Sequence, residues 1–235
     1  QNGLTQFSQN NMGAYGGPDI ITDGLMFAVD AGGGRSYPGT GTTASNIINN
    51  VSGTLTNGVS YDTGNGGAFG FDGVDQYIAF PDDTNLNSQT ITMETWSKLD
   101  NSTTQNGFLF EKGAVNTQYA HFFEGTHLRF RTMTLSTQDL AISSALYLSV
   151  GIWQHIVCTF GAGTKIIYIN GVNVTQQTGL TGTLPTNTSG LFLGAYGGGG
   201  DYHLDGEIAV SRVYNTALTA AEVLQNYNAQ KNRFI

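Results

Sequence analysis

Short runs of alternating apolar and polar residues occupy most of the chain between residues 24 and 214. They are 24–31 (GLMFAVDA), 67–72, 76–80, 89–98 (QTITMETWSK), 107–112 (GFLFEK), 118–124 (QYAHFFE), 126–133 (THLRFRTM), 145–150, 154–160 (QHIVCTF), 164–170 (TKIIYIN), 190–195 and 206–214. A period of two puts alternate side chains on opposite faces of a strand, and turn residues separate the runs every ~8–12 positions, the pattern of a β-sandwich or barrel. All four prolines, Pro18, Pro38, Pro81 and Pro185, fall outside these runs, where they remove no ladder hydrogen bond. One segment has the other period. In LTAAEVLQNYNAQK, Thr219 is placed to N-cap a helix with Glu222 at the third position, a capping box. Leu218 and Val223 stand at the two positions of a hydrophobic staple, and Leu224 and Tyr227 are expected to dock on the sandwich. Residues 1–22 are polar, Gly-rich and without period, and are expected to form an extended arm in front of a single domain at 23–235.

Composition narrows the function. The 33 glycines and the low charged fraction, 11%, suit strands joined by tight turns rather than a helical bundle. With nine Lys and Arg against seventeen Asp and Glu the formal charge is −8, and no basic run exists, which argues against nucleic-acid binding. No apolar run is long enough to insert in a membrane. Cys158 is alone, so the chain carries no internal disulfide, and its setting in HIVCTF is that of a small buried hydrophobe.

Four stretches in order carry a resemblance: FDGVDQYI (71–78), ITMETWSKLD (91–100), WQHIVCTF with IIYINGV (153–172), and LFLGAYGGGGDYHLDGEIAVSRVYNTALTAAEV (191–223). Together they resemble the laminin-G-like branch of the concanavalin A-like lectin/glucanase jelly rolls, over roughly residues 23–230. The resemblance implies an all-β fold: a two-sheet antiparallel jelly-roll sandwich with one short C-terminal helix. It also implies glycan-binding, protein-binding or structural roles, with only some branches catalytic. The stretch ITDGLMFAVDAGGGRSYPGTGTT and the residues leading into FDGVDQYI resemble the head of such domains in tailed-bacteriophage virion proteins.

The chemistry is sparse. Glycosidases of this fold share a strand pattern Glu-x-Asp-x-x-Glu that sets two carboxylates about 5 Å apart; here Glu94, Glu111 and Glu124 each stand alone, so the domain is expected not to be an enzyme. The four histidines are scattered, which argues against zinc. Calcium is the open metal question: Asp72 and Asp75 in FDGVDQ, and Asp201 and Asp205 in GGGGDYHLDG, either ligate a hard cation or simply form the Asp-Gly turns. For a glycan, Glu94 and Trp96 share a strand face, as do His121 and Phe123, and His127, Arg129 and Arg131. Glu94, Trp96, His121, Arg129 and Arg131 are therefore the candidate sugar residues, against the alternative that Trp96 is covered core and the arginines are solvated.

These readings combine into a non-catalytic structural module on a virion surface, a capsid decoration or fibre protein. It would contact other virion proteins or copies of itself through Phe7 and Tyr15 of the arm, and surface polysaccharide through the sandwich. A secreted, extracellular carbohydrate-binding or adhesion module is the alternative, and a glycoside hydrolase comes third.

Overall fold

The computed structural model describes residues 18–235 other than 104, 114–116 and 198–199. The first half contains strands β1 (Leu25–Asp30), β2 (Thr43–Ser45), β3 (Ser52–Thr56), β4 (Ser60–Asp62), β5 (Ala68–Asp72), β6 (Tyr77–Phe80), β7 (Ile91–Leu99) and β8 (Gly107–Lys112). Then come β9 (Tyr119–Glu124), β10 (His127–Thr132), β11 (Asp139–Ser143), the single helical turn α1 (Ser144–Tyr147), β12 (Gln154–Gly161), β13 (Thr164–Ile169), β14 (Val172–Gln177), β15 (Leu191–Leu193), β16 (Asp205–Tyr214) and helix α2 (Ala220–Phe234).

The strands form two antiparallel sheets, as the alternation predicts. Sheet A runs β14-β13-β12-β7-β16-β5-β4 and sheet B runs β11-β10-β9-β8-β15-β6-β3-β2. Long β16 organises sheet A: β7 lies along one side, while β5 pairs with Asp205–Ile208 and β1 with Val210–Tyr214 on the other. One face of each sheet turns inward, and Phe27, Phe69, Ile91, Met93, Phe110, Phe130, Ile156, Cys158, Ile167 and Val213 fill the space between them. Burial of this layer is the main driving force for the fold, at ~25 cal/mol per Å² of apolar surface.

Residues 145–150 are not a strand. One helical turn closes there, with the Leu148 amide donating to the Ser144 carbonyl at 2.8 Å, and only Leu148 is buried while Leu146 is 72% exposed. The strand is the preceding 139–143, whose Leu140 and Ile142 pair with Phe130 and Leu128. The polar β2, β3, β4 and β14 escape a periodicity reading because few of their residues are buried.

The outer face of sheet A is roofed by α2. Its capping box forms as expected: the Glu222 amide donates to Thr219 Oγ1 at 3.3 Å and the Thr219 amide to Glu222 Oε2 at 2.8 Å. Leu218 and Val223 are both buried. Tyr227 docks on the sheet as expected, but Leu224 is largely exposed, and Val223, Asn226 and Phe234 complete the docked stripe. Residues 18–22, the end of the expected arm, lie against the same helix. The Gln225 side chain donates to the Asp19 carbonyl at 2.8 Å, the Ile21 amide donates to Asn226 Oδ1 at 2.7 Å, and Ile21 packs on the cluster of Val157, Tyr168, Tyr214, Leu218 and Val223. Phe7 and Tyr15 lie outside the described residues.

Candidate functional site

The outer face of sheet B has no helical roof among the described residues. A β-bulge in β8 shapes it. Phe108 pairs with Phe122, and Phe110 with His121, so Leu109 is the extra residue. A bulge resets the alternation. Phe108 and Glu111, three apart, therefore both face outward, while Leu109 and Phe110 join the core. Phe108 and Phe122 stack with ring centres 4.4 Å apart and planes 6° from parallel. Tyr196 lies 5.0 Å from Phe108 and 6.0 Å from Tyr202; both tyrosines come from the Gly-rich loop between β15 and β16. Tyr202 is 51% exposed with its backbone in the left-handed region, φ 52°. With Phe123, Glu124 and Arg131 these rings line an open depression of about 270 Å³.

Polar groups hold the depression in shape. Glu111, buried beneath it, accepts from Thr117 Oγ1 at 2.7 Å and from the Gly197 amide at 2.9 Å, which ties the tyrosine-bearing loop to the sheet. Burial pushes its carboxyl up to about 7, against the lowering effect of those two donors and of Arg131. Arg131 lays its guanidinium over the Phe122 ring at 4.6 Å and gives Nε and Nη2 to the two oxygens of Asp139, each at 2.8 Å. Arg129 pairs with Glu124 at 2.7 Å and lies 3.6 Å from Asp139.

Of the candidate sugar residues, Arg131 lines the depression, Arg129 stands beside it through its pair with Glu124, and the other three lie elsewhere. His121 faces the interior opposite Phe130, with neither ring nitrogen hydrogen-bonded, and burial lowers it to about 3. Glu94 and Trp96 share a face as expected, but that face belongs to sheet A and lies under α2. Trp96 is fully buried, stacked at 4.3 Å on Phe234 and at 5.7 Å on Tyr227. Glu94 receives Arg212 Nη1 at 2.5 Å and Asn226 Nδ2 at 2.7 Å, with His155 Nε2 at 3.1 Å. Burial alone would raise its pKa, yet Arg212, His155 and Asn226 together hold it at about 2. This is a closed internal network with no opening for a ligand. Sequence reasoning did not single out Phe108, Phe122, Tyr196 and Tyr202; the only signal is two tyrosines flanking the Gly run.

The four aspartates do not form a cation cage. Asp72 and Asp205 are paired across β5 and β16, but Asp72 Oδ1 accepts from the Val74 amide at 3.0 Å and Asp205 Oδ2 from Asn101 at 2.8 Å. The Asp75 carbonyl accepts from Asn57, and Asp201 closes the tyrosine loop by accepting the Tyr196 amide. Among the described residues no three His, Cys, Asp or Glu converge, so no cluster of carboxylates is assembled there for a calcium ion.

Comparison with known proteins bears on the fold. No curated protein sequence matches the chain. Among solved structures it is similar to a Trypanosoma rangeli sialidase in complex with sialic acid (14% identity, TM-score 0.66), covering 90% of this chain and 34% of that one. It is also similar to domain 4 of AbnA, a GH43 extracellular arabinanase from Geobacillus stearothermophilus in complex with arabinotriose (20% identity, TM-score 0.64, 86% and 98% covered). A third is the binding domain of Paraclostridial Mosquitocidal Protein 1 (16% identity, TM-score 0.66, 88% and 52% covered). The chain thus spans about one third of the sialidase chains it matches, and these likenesses concern the fold alone. A family model for laminin-G-like domains matches residues 72–224, from the Asp-Gly turn after β5 through the first turn of α2, and the chain belongs to the concanavalin A-like lectin/glucanase superfamily.

Proposed function

We propose that the domain is a non-catalytic carbohydrate-binding module and that the Phe108–Phe122–Tyr196–Tyr202 depression is its sugar site. One observation carries the reading: two ring-bearing loop residues, one of them half-exposed, stand beside a rigid stack and a rim of charged side chains, on the sheet face that α2 leaves uncovered. Sugars present apolar C–H faces ringed by hydroxyls, and such a site offers an apolar floor with a few fixed polar groups. The resemblance of residues 21–43 and 54–78 to the head of such domains in phage virion proteins adds a setting, in which the module sits on a virion surface with the segment containing Phe7 and Tyr15 joining it to neighbouring subunits. The alternative setting is extracellular.

The test is titration with an oligosaccharide panel, read by tyrosine fluorescence and calorimetry. Tyr202→Ala should weaken binding about tenfold, ~1.4 kcal/mol, with the melting temperature unchanged. The wild type should release no reducing sugar from the same panel. Absence of binding across the panel, or equal binding by Tyr202→Ala, overturns the site; turnover overturns the non-catalytic reading.

A further inference from the structure

Arginines beside aromatic rings suggest recognition of an acidic sugar, whose carboxylate fits a guanidinium fork. The geometry here opposes it. The Nε/Nη2 edge of Arg131, one of the edges by which a guanidinium takes a carboxylate bidentately, is already filled by both oxygens of Asp139 at 2.8 Å, which neutralises its charge. One face of the same guanidinium is spent on Phe122. Arg129 is engaged by Glu124 at 2.7 Å and by Asp139 at 3.6 Å. Two cations meet two anions, so the rim carries no surplus positive charge, and Glu111 beneath it adds negative charge once ionised. The chain as a whole, at −8, also repels a polyanion at low ionic strength.

Resting on the sugar-site reading above, we infer that the depression selects neutral oligosaccharides and rejects uronic and sialic acids, because Asp139 and Glu124 occupy the arginines that an acidic sugar would need. A neutral sugar still finds what it requires: ring faces on Tyr196 and Tyr202, and the carboxylate oxygens of Glu124 on the rim, which accept from its hydroxyls. The salt-bridged Arg129 then acts as scaffold, fixing those acceptors.

The experiment pairs each neutral oligosaccharide of the panel with its C6-oxidised uronic counterpart, adds sialyllactose, and measures affinity to the wild type and to Asp139→Ala at low salt. In the wild type a neutral member should bind at least tenfold more tightly than its oxidised partner. Asp139→Ala frees the Arg131 fork and should narrow or reverse that ratio. Wild-type preference for the acidic partner or for sialyllactose overturns the inference and leaves the carbohydrate-binding reading standing. An unchanged ratio in Asp139→Ala overturns the assigned cause. Failure of both classes to bind removes the sugar-site reading, and this inference with it.

Discussion

Replacing Glu111 by Gln tests whether burial governs the floor of the candidate site. Burial raises this carboxyl from 4.5 to about 7. The folded state therefore binds a proton between those values that the unfolded chain has already released. The sign follows from proton linkage: the contribution of Glu111 to stability is fully present below pH ~4.5 and is lost as pH rises through about 7. At ~1.4 kcal/mol per pH unit the loss is about 3 kcal/mol, or roughly 6–12 °C in melting temperature for a chain of this size. Gln has the shape of the protonated acid. Its amide N–H₂ can donate to Thr117 Oγ1, and its carbonyl can accept the Gly197 amide, so both contacts survive without a charge. The wild-type curve alone does not isolate the effect. His121, lowered to about 3 by burial, makes stability rise with pH below ~6.5, and Lys165, lowered to about 8, does so above 8. The readout is the difference between Glu111→Gln and wild type in calorimetric melts from pH 4.5 to 8. That difference should start near zero and grow to several degrees in favour of the Gln variant. A difference that stays constant with pH, or a Gln variant less stable at pH 8, refutes the reasoning.

Two further outcomes test the remaining clusters. Glu94→Ala leaves Arg212 buried without its carboxylate and should cost about 3–5 kcal/mol, read by chemical denaturation; a loss under 1 kcal/mol would mean that the network under α2 is dispensable. Because Asp72, Asp75, Asp201 and Asp205 serve turns and loop closure, melts with and without a calcium chelator should coincide, and a reversible drop on chelation would place a bound cation there.

The strands, the sandwich and the capped helix are readable in the sequence because they depend on local period and local capping. Even the shared face of Glu94 and Trp96 is correct. What a period cannot say is which sheet a strand joins or what lies over it. Glu94 and Trp96 fall under α2, some 130 residues later in the chain, and His121 faces inward because β9 pairs with β10 in a register that opposes it to Phe130. The depression is hidden for a similar reason. Bringing Phe108 and Glu111 to one face requires the bulge at Leu109, and bringing Tyr196 and Tyr202 over them requires a loop held by Glu111 and Asp201. Arg129 and Arg131 are legible as a pair, but their occupation by Asp139 is not, since that aspartate sits on a strand that the alternation places too late.

The docking of residues 18–22 and of α2 on sheet A gives the domain a back and a front. Both ends of the described chain lie at the back, and the aromatic depression opens at the front, on the far side of the core. A tether fixed at Ile235, whether a biosensor surface or a bead, therefore leaves the depression facing solution, and many copies anchored this way would display it in one direction. Modest affinity at each copy would then be multiplied by simultaneous engagement of a repetitive polysaccharide.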